Sequence, residues 1–134
     1  MWTAAGGVGL AASAARAAWG AGLSPDDVEV ARVKLDRPAI PAAFHGLKIV
    51  LLSDLHFGSS GIRADLIERA FGLAMAERPD LFLFGGDLVT GWVGHHVLAE
   101  LLSMARSVHA PLGVYGVLGN HEFMWGEKEA MREF

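Results

Sequence analysis

Three stretches share one design: Ile49-Val50-Leu51-Leu52-Ser53-Asp54-Leu55-His56, Leu81-Phe82-Leu83-Phe84-Gly85-Gly86-Asp87, and Val114-Tyr115-Gly116-Val117-Leu118-Gly119-Asn120-His121-Glu122. Each is a short apolar run followed at once by metal-ligating side chains. Runs this short and this uniformly apolar read as buried parallel strands. Ligating groups after the carboxyl ends of successive parallel strands open onto one edge of the sheet, where open α/β sheets place their ligands. Two carboxylates, an amide oxygen and imidazoles gathered there make a site for more than one divalent cation. The chemistry this favours is metal-assisted hydrolysis.

The segments between the strands carry helical periodicity. Leu66, Ile67, Ala70, Phe71, Ala74 and Met75 form one apolar stripe, with Asp65, Glu68, Arg69 and Glu77 on the other faces. Pro79-Asp80 stops this helix and the second strand follows immediately. Val97, Leu101, Met104 and Ala105 form the stripe of a second helix, near Val97 to Val108. The order is β-α-β-α-β, which requires parallel strands joined by right-handed crossovers.

Outside this unit the chain divides into two further parts. Residues 1–23 are an Ala/Gly-rich N-terminal segment, read either as a poorly ordered terminus or as the remnant of a membrane or signal segment. Residues 24–46 are read as an edge strand, alternating through Val28-Glu29-Val30 and Val33-Lys34-Leu35, and a linker broken by Pro38 and Pro41. Glu127 to Phe134 has helical character without a stop signal, so the chain is expected to be cut from something longer.

Composition narrows the partners. With 52% hydrophobic and 19% charged residues the chain is globular or membrane-touching. A net charge of −4 argues against a nucleic-acid surface, which rests on clustered Lys and Arg. No cysteine is present, which removes disulfides and thiolate metal sites.

The series D-x-H at Asp54-Leu55-His56, G-D at Gly86-Asp87 and G-N-H-E at Gly119-Asn120-His121-Glu122 resembles the calcineurin-like metallophosphoesterases. The spacing of 33 positions from Asp54 to Asp87, and again from Asp87 to Asn120, suits one strand-helix-strand unit each. The extended forms around Asp54 and Asp87 look like the branch of membrane-linked phosphodiesterases and lipid-precursor pyrophosphatases. The resemblance implies an α/β fold: residues 47–134 would be the β-α-β-α-β half of a two-sheet sandwich flanked by helices. It implies two divalent ions (Mn, Fe, Zn or Co), one held by Asp54, His56 and Asp87 and the other by Asp87 and Asn120. His121 is carried over as the catalytic histidine and not as a ligand.

The expected reaction is two-metal hydrolysis of a phosphate ester, phosphodiester or pyrophosphate. The substrate would be a phosphorylated small molecule or lipid, and the protein membrane-associated, with a cytoplasmic location as the alternative. The later histidines of the family pattern, ending in G-H-x-H, do not occur in these 134 residues, so the chain alone is expected to be weakly active or inactive. A non-catalytic remnant that binds a metal or a partner is the rival reading. A mononucleotide-binding module is disfavoured, because no Gly-rich phosphate loop is present.

One position departs from the family pattern. Thr90 stands where relatives often carry an acid that orients the catalytic histidine; its hydroxyl is expected to hold the ring of His121 without pairing with its charge. Glu122 could share that role, but a supporting or turn residue is the better expectation. His95 and His96 fall near the rim of the site and are read as a solvated helix start, with a substrate or metal role as the alternative. His45 and His109 are read as bystanders. Trp92, Phe123, Met124 and Trp125 are expected to pack in the ordinary way, with a wall for an apolar substrate as the alternative.

Overall fold

The computed structural model describes residues 28–91 and 93–124. The N-terminal segment 1–23, Trp92, Trp125 and the stretch 127–134 lie outside the described residues. A single 3-10 turn, Ala42–Phe44, precedes β1 (Ile49–Leu52). Then follow α1 (Ala64–Ala76), β2 (Leu81–Phe84), α2 (His95–Ala105), β3 (Val114–Gly116) and a short helix α3 (Asn120–Met124). The three strands form one parallel sheet in the order β1-β2-β3, with Leu51 beside Leu83 and Leu83 beside Tyr115. This is the α/β half expected from the sequence. The helix over Asn120–Met124, within the third motif, is an addition.

Both long helices cover one face of the sheet. Ile67 and Phe71 of α1 meet Leu98 and Leu101 of α2 in a cluster that also takes in Leu55, Phe57, Leu88 and Val89. Phe82, at the centre of β2, is fully buried. Burying such a ring contributes about 1.5–3 kcal/mol, so this face holds the sheet to its helices. The loops beyond the strands belong to the same core, and that fixes where the motifs sit.

The other face is not covered by the described residues. Ile49, Leu51 and Tyr115 share it through the pairing register, and each is more than half exposed. Among the described residues the strands are therefore buried on one face only, where uniform apolarity predicts burial on both. The runs are apolar on both faces, and among the described residues one face meets helices.

The edge strand expected from Val28 to Leu35 does not form; residues 28–37 are irregular chain without a ladder. Alternation marks a segment that can be half-buried, but it does not supply a partner strand. What ties this segment down is a salt bridge from Arg32 to Glu77 at the end of α1. The α1 helix ends with Glu77 as its C-cap and Arg78 at a φ of 54°, the left-handed conformation that usually favours glycine. Pro79 follows and β2 begins. No helix among the described residues is long and apolar enough to cross a membrane.

Candidate metal centre

The ends of β1 and β2 continue to pair after the regular strands stop. Asp54 N–H donates to Gly86 O at 3.0 Å, His56 N–H to Asp87 O at 3.0 Å, and Phe57 N–H to Leu88 O at 2.9 Å. This extended pairing carries the first two motifs side by side. Although they directly follow β1, Asp54 and His56 are not on extended backbone. They have φ values of 57° and 47°, and Asp87 has 51°. Three of the expected ligands thus occupy the left-handed region, where non-glycine residues are uncommon and cost of order 1–3 kcal/mol each. Such strain persists only where surrounding bonds over-determine it. Asp54 and His56 still end on one side, with Asp54 Oδ1 3.9 Å from His56 Nε2.

The second and third motifs touch backbone to backbone. Gly86 has a φ of 90°, and a Cβ placed there would lie 2.5 Å from Gly119 N. A Cβ on Gly119 would lie 2.2 Å from Asp87 Oδ1 and 2.3 Å from Asp87 N. The glycines therefore bring one turn against the other. The close backbone approach that Gly86 permits is to Gly119.

The result is a tight group. One ligand atom each from His56, Asp87 and His121 lies within 4.8 Å of the others, at the edge where all three strands end. The rings of His56 and His121 stand edge to face, with centroids 4.8 Å apart. Asp54 is more exposed and stands beside His56 outside the group of three. Asn120 is the first residue of α3, directly before His121, and is exposed. Nitrogen and carboxylate donors this close fit a borderline divalent cation such as Mn, Fe, Co or Zn.

His121 is held differently from expectation. Its Nδ1 accepts the Gly91 backbone N–H at 3.0 Å. Thr90 does not hold the ring; its hydroxyl donates to His56 O at 3.2 Å. With Nδ1 occupied as an acceptor, the neutral ring carries its proton on Nε2.

Glu122 is the residue whose part the sequence understated. It is 1% exposed, and its two oxygens accept four backbone N–H groups. Its carboxylate does not help orient His121. The bond from Gly119 N–H is the glutamate half of a capping box, since Gly119 precedes α3 and Glu122 is the third residue of that helix. The G-x-x-E spacing carried that signal.

The remaining candidates stand apart. His95 and His96 open α2 on its exposed surface. His109 contacts Ser107 O, and His45 ends the 3-10 turn. Phe123 and Met124 are about half exposed, so they do not pack in the core as expected.

Comparison with known proteins points to one family. A family model described as calcineurin-like phosphoesterase matches residues 47–134. The chain is 33% identical over 114 residues to the UDP-2,3-diacylglucosamine pyrophosphatase LpxG of Chlamydia trachomatis, a match spanning 85% of this chain and 34% of that protein. It is 31% identical over 118 residues to the uncharacterized metallophosphoesterase YkuE of Bacillus subtilis, spanning 84% and 41%. A Danio rerio transmembrane protein with metallophosphoesterase domain is 29% identical over 105 residues, spanning 78% and 23%. The chain spans about a third of the length of the first curated relatives it matches. No solved structure matches it at comparable significance. Carrying three strand-end motifs that meet at one sheet edge, and matched over most of its length, the chain belongs to the calcineurin-like phosphoesterase family.

Proposed function

We propose that this chain supplies the metal-binding side of a phosphoesterase site, and that the whole protein hydrolyses a phosphate ester, phosphodiester or pyrophosphate with two divalent cations. The observation that carries the reading is the convergence of His56, Asp87 and His121 within 4.8 Å at the carboxyl edge of the sheet. His56 and Asp87, with Asp54 beside them, would hold one ion; Asp87 and Asn120 would hold the other. Bound ions would supply Lewis-acid activation of the phosphoryl group and of the attacking water.

His121 acts as the proton donor in this reading. Its Nδ1 is taken by Gly91 N–H, so the Nε2–H is the group left to face substrate. A donor there stabilises or protonates the departing oxygen. The UDP-2,3-diacylglucosamine pyrophosphatase activity named for the Chlamydia relative makes a phosphorylated lipid precursor one candidate substrate, and the transmembrane protein named in Danio rerio supports membrane association of the whole protein.

A second reading, a cation-binding module without turnover, draws support from one feature. The ring of His121 takes its orientation from a backbone amide and not from a carboxylate. One pair of assays separates the two readings: Mn binding by calorimetry, and Mn-dependent hydrolysis of an aryl phosphodiester, each on the wild-type chain and Asp87→Asn. Binding with weak turnover, both lost in the variant, is the expected result. Binding without turnover selects the second reading, and absence of binding overturns both.

A further inference from the structure

Glu122 is a fully buried carboxylate, and nothing in the proposed hydrolysis uses it directly. Its Oε2 accepts Asp87 N–H at 2.8 Å and Gly119 N–H at 2.7 Å. Its Oε1 accepts Leu88 N–H at 2.7 Å and Val89 N–H at 3.2 Å. A carboxylate offers about four lone-pair directions, and here four donors use them. The three successive amides of Asp87, Leu88 and Val89 converge on the one carboxylate, the kind of concavity that binds an anion. The protein fills it with its own side chain.

The contact is reciprocal. While Glu122 receives the N–H of Asp87, Asp87 Oδ1 accepts the N–H of His121 at 2.9 Å. Two acidic side chains, Asp87 from a loop and Glu122 from α3, thus each cap the backbone of the other's segment. Asp87 takes the place a helix N-cap residue would fill for α3, and Glu122 holds Asp87 at its φ of 51°. Because Oδ1 is engaged with His121 N–H, the exchange also fixes which way the Asp87 carboxylate turns.

We propose that Glu122 is a positioning residue that sets the orientation of Asp87 toward a bound cation. The proposal rests on the reading of His56 and Asp87 as cation ligands. It predicts that Glu122 matters to metal geometry beyond its contribution to folding. Replacement by Gln keeps size but leaves one acceptor oxygen, and its NH2 group would face two of the four amide donors. The Asp87 loop must then shift.

The test is titration of the chain with cobalt(II), read by its visible absorption spectrum, with thermal melting followed in parallel. The wild-type chain should bind cobalt with a defined band pattern. In Glu122→Gln the affinity should fall about tenfold or more, the range seen when groups behind metal ligands are lost, and the bands should shift. Glu122→Asp keeps both oxygens on a shorter arm, and should give a spectrum between the two. A lowered melting temperature with wild-type bands and affinity in either folded variant would mean that Glu122 serves the fold alone, and would overturn the proposal. If Glu122→Gln does not fold, the spectrum of Glu122→Asp decides in the same way. If the wild-type chain itself binds no cobalt, the assignment of His56 and Asp87 fails, and the proposal falls with it.

Discussion

Replacing Gly119 by alanine tests the backbone contact on which the site is built. The new methyl would lie 2.3 Å from Asp87 N and 2.2 Å from Asp87 Oδ1. Rotating a side chain relieves the second overlap but not the first, so the two turns must separate. Overpacking of this kind costs about 1–3 kcal/mol. Separation also strains the bonds that join the turns: Glu122 to the amides of Asp87, Leu88 and Val89, and His121 N–H to Asp87. At a net ~1 kcal/mol each, losing half of these adds about 2 kcal/mol. A total of about 3–5 kcal/mol lowers the melting temperature of a chain this size by roughly 10–20 °C. Circular dichroism melts measure it, with Gly72→Ala as the control. Gly72 lies within α1, and a methyl there meets nothing within 4 Å. That control should gain about 0.5–1 kcal/mol from improved helix propensity. A Gly119→Ala chain melting within about 2 °C of wild type would refute the contact argument.

Other perturbations separate the remaining roles. Phe82→Ala, which empties a fully buried position in β2, should cost about 3–5 kcal/mol by denaturant titration. Asp87→Asn should abolish metal binding in calorimetry, whereas His121→Ala should keep metal content and lose what turnover there is; equal loss of metal in both would contradict the division of roles. The Arg32 side chain, by hydrogen bond and charge, holds the Glu77 carboxyl below its ordinary value. A depressed carboxyl contributes stability above its unfolded pKa, and that contribution disappears as pH falls through the lower folded value. Arg32→Ala should therefore raise the Glu77 titration midpoint in an NMR pH series; Arg32 is exposed and the pair is open to solvent on its side, so the melting temperature near neutral pH should change little.

The central pattern was legible because it depends on local chemistry. Apolar runs ending in Asp54, Asp87 and Asn120, with helical stripes between them, are enough to imply a parallel sheet and one ligand edge. Boundaries shifted where packing decided them: β3 stops at Gly116, although apolar residues continue to Leu118. The segment Val28 to Leu35 forms no strand among the described residues, since alternation alone does not supply a neighbour. The left-handed backbone at Asp54, His56 and Asp87 was not legible, since pairing between distant loops imposes it. Neither was the use of all four acceptor directions of Glu122, because three of its four donors come from residues more than 30 positions away. The grip of Gly91 on His121 is a backbone bond, and side-chain motifs carry no record of it.

The central claim is that His56 and Asp87 hold a divalent cation at the carboxyl edge of the sheet. Anomalous diffraction at the manganese edge, from crystals of this chain grown with Mn, tests it most directly. The account predicts a peak in bonding contact with His56 and Asp87, beside Asp54, and none there in Asp87→Asn crystals. A peak at another site with this edge empty, or a peak unchanged in the variant, would contradict it.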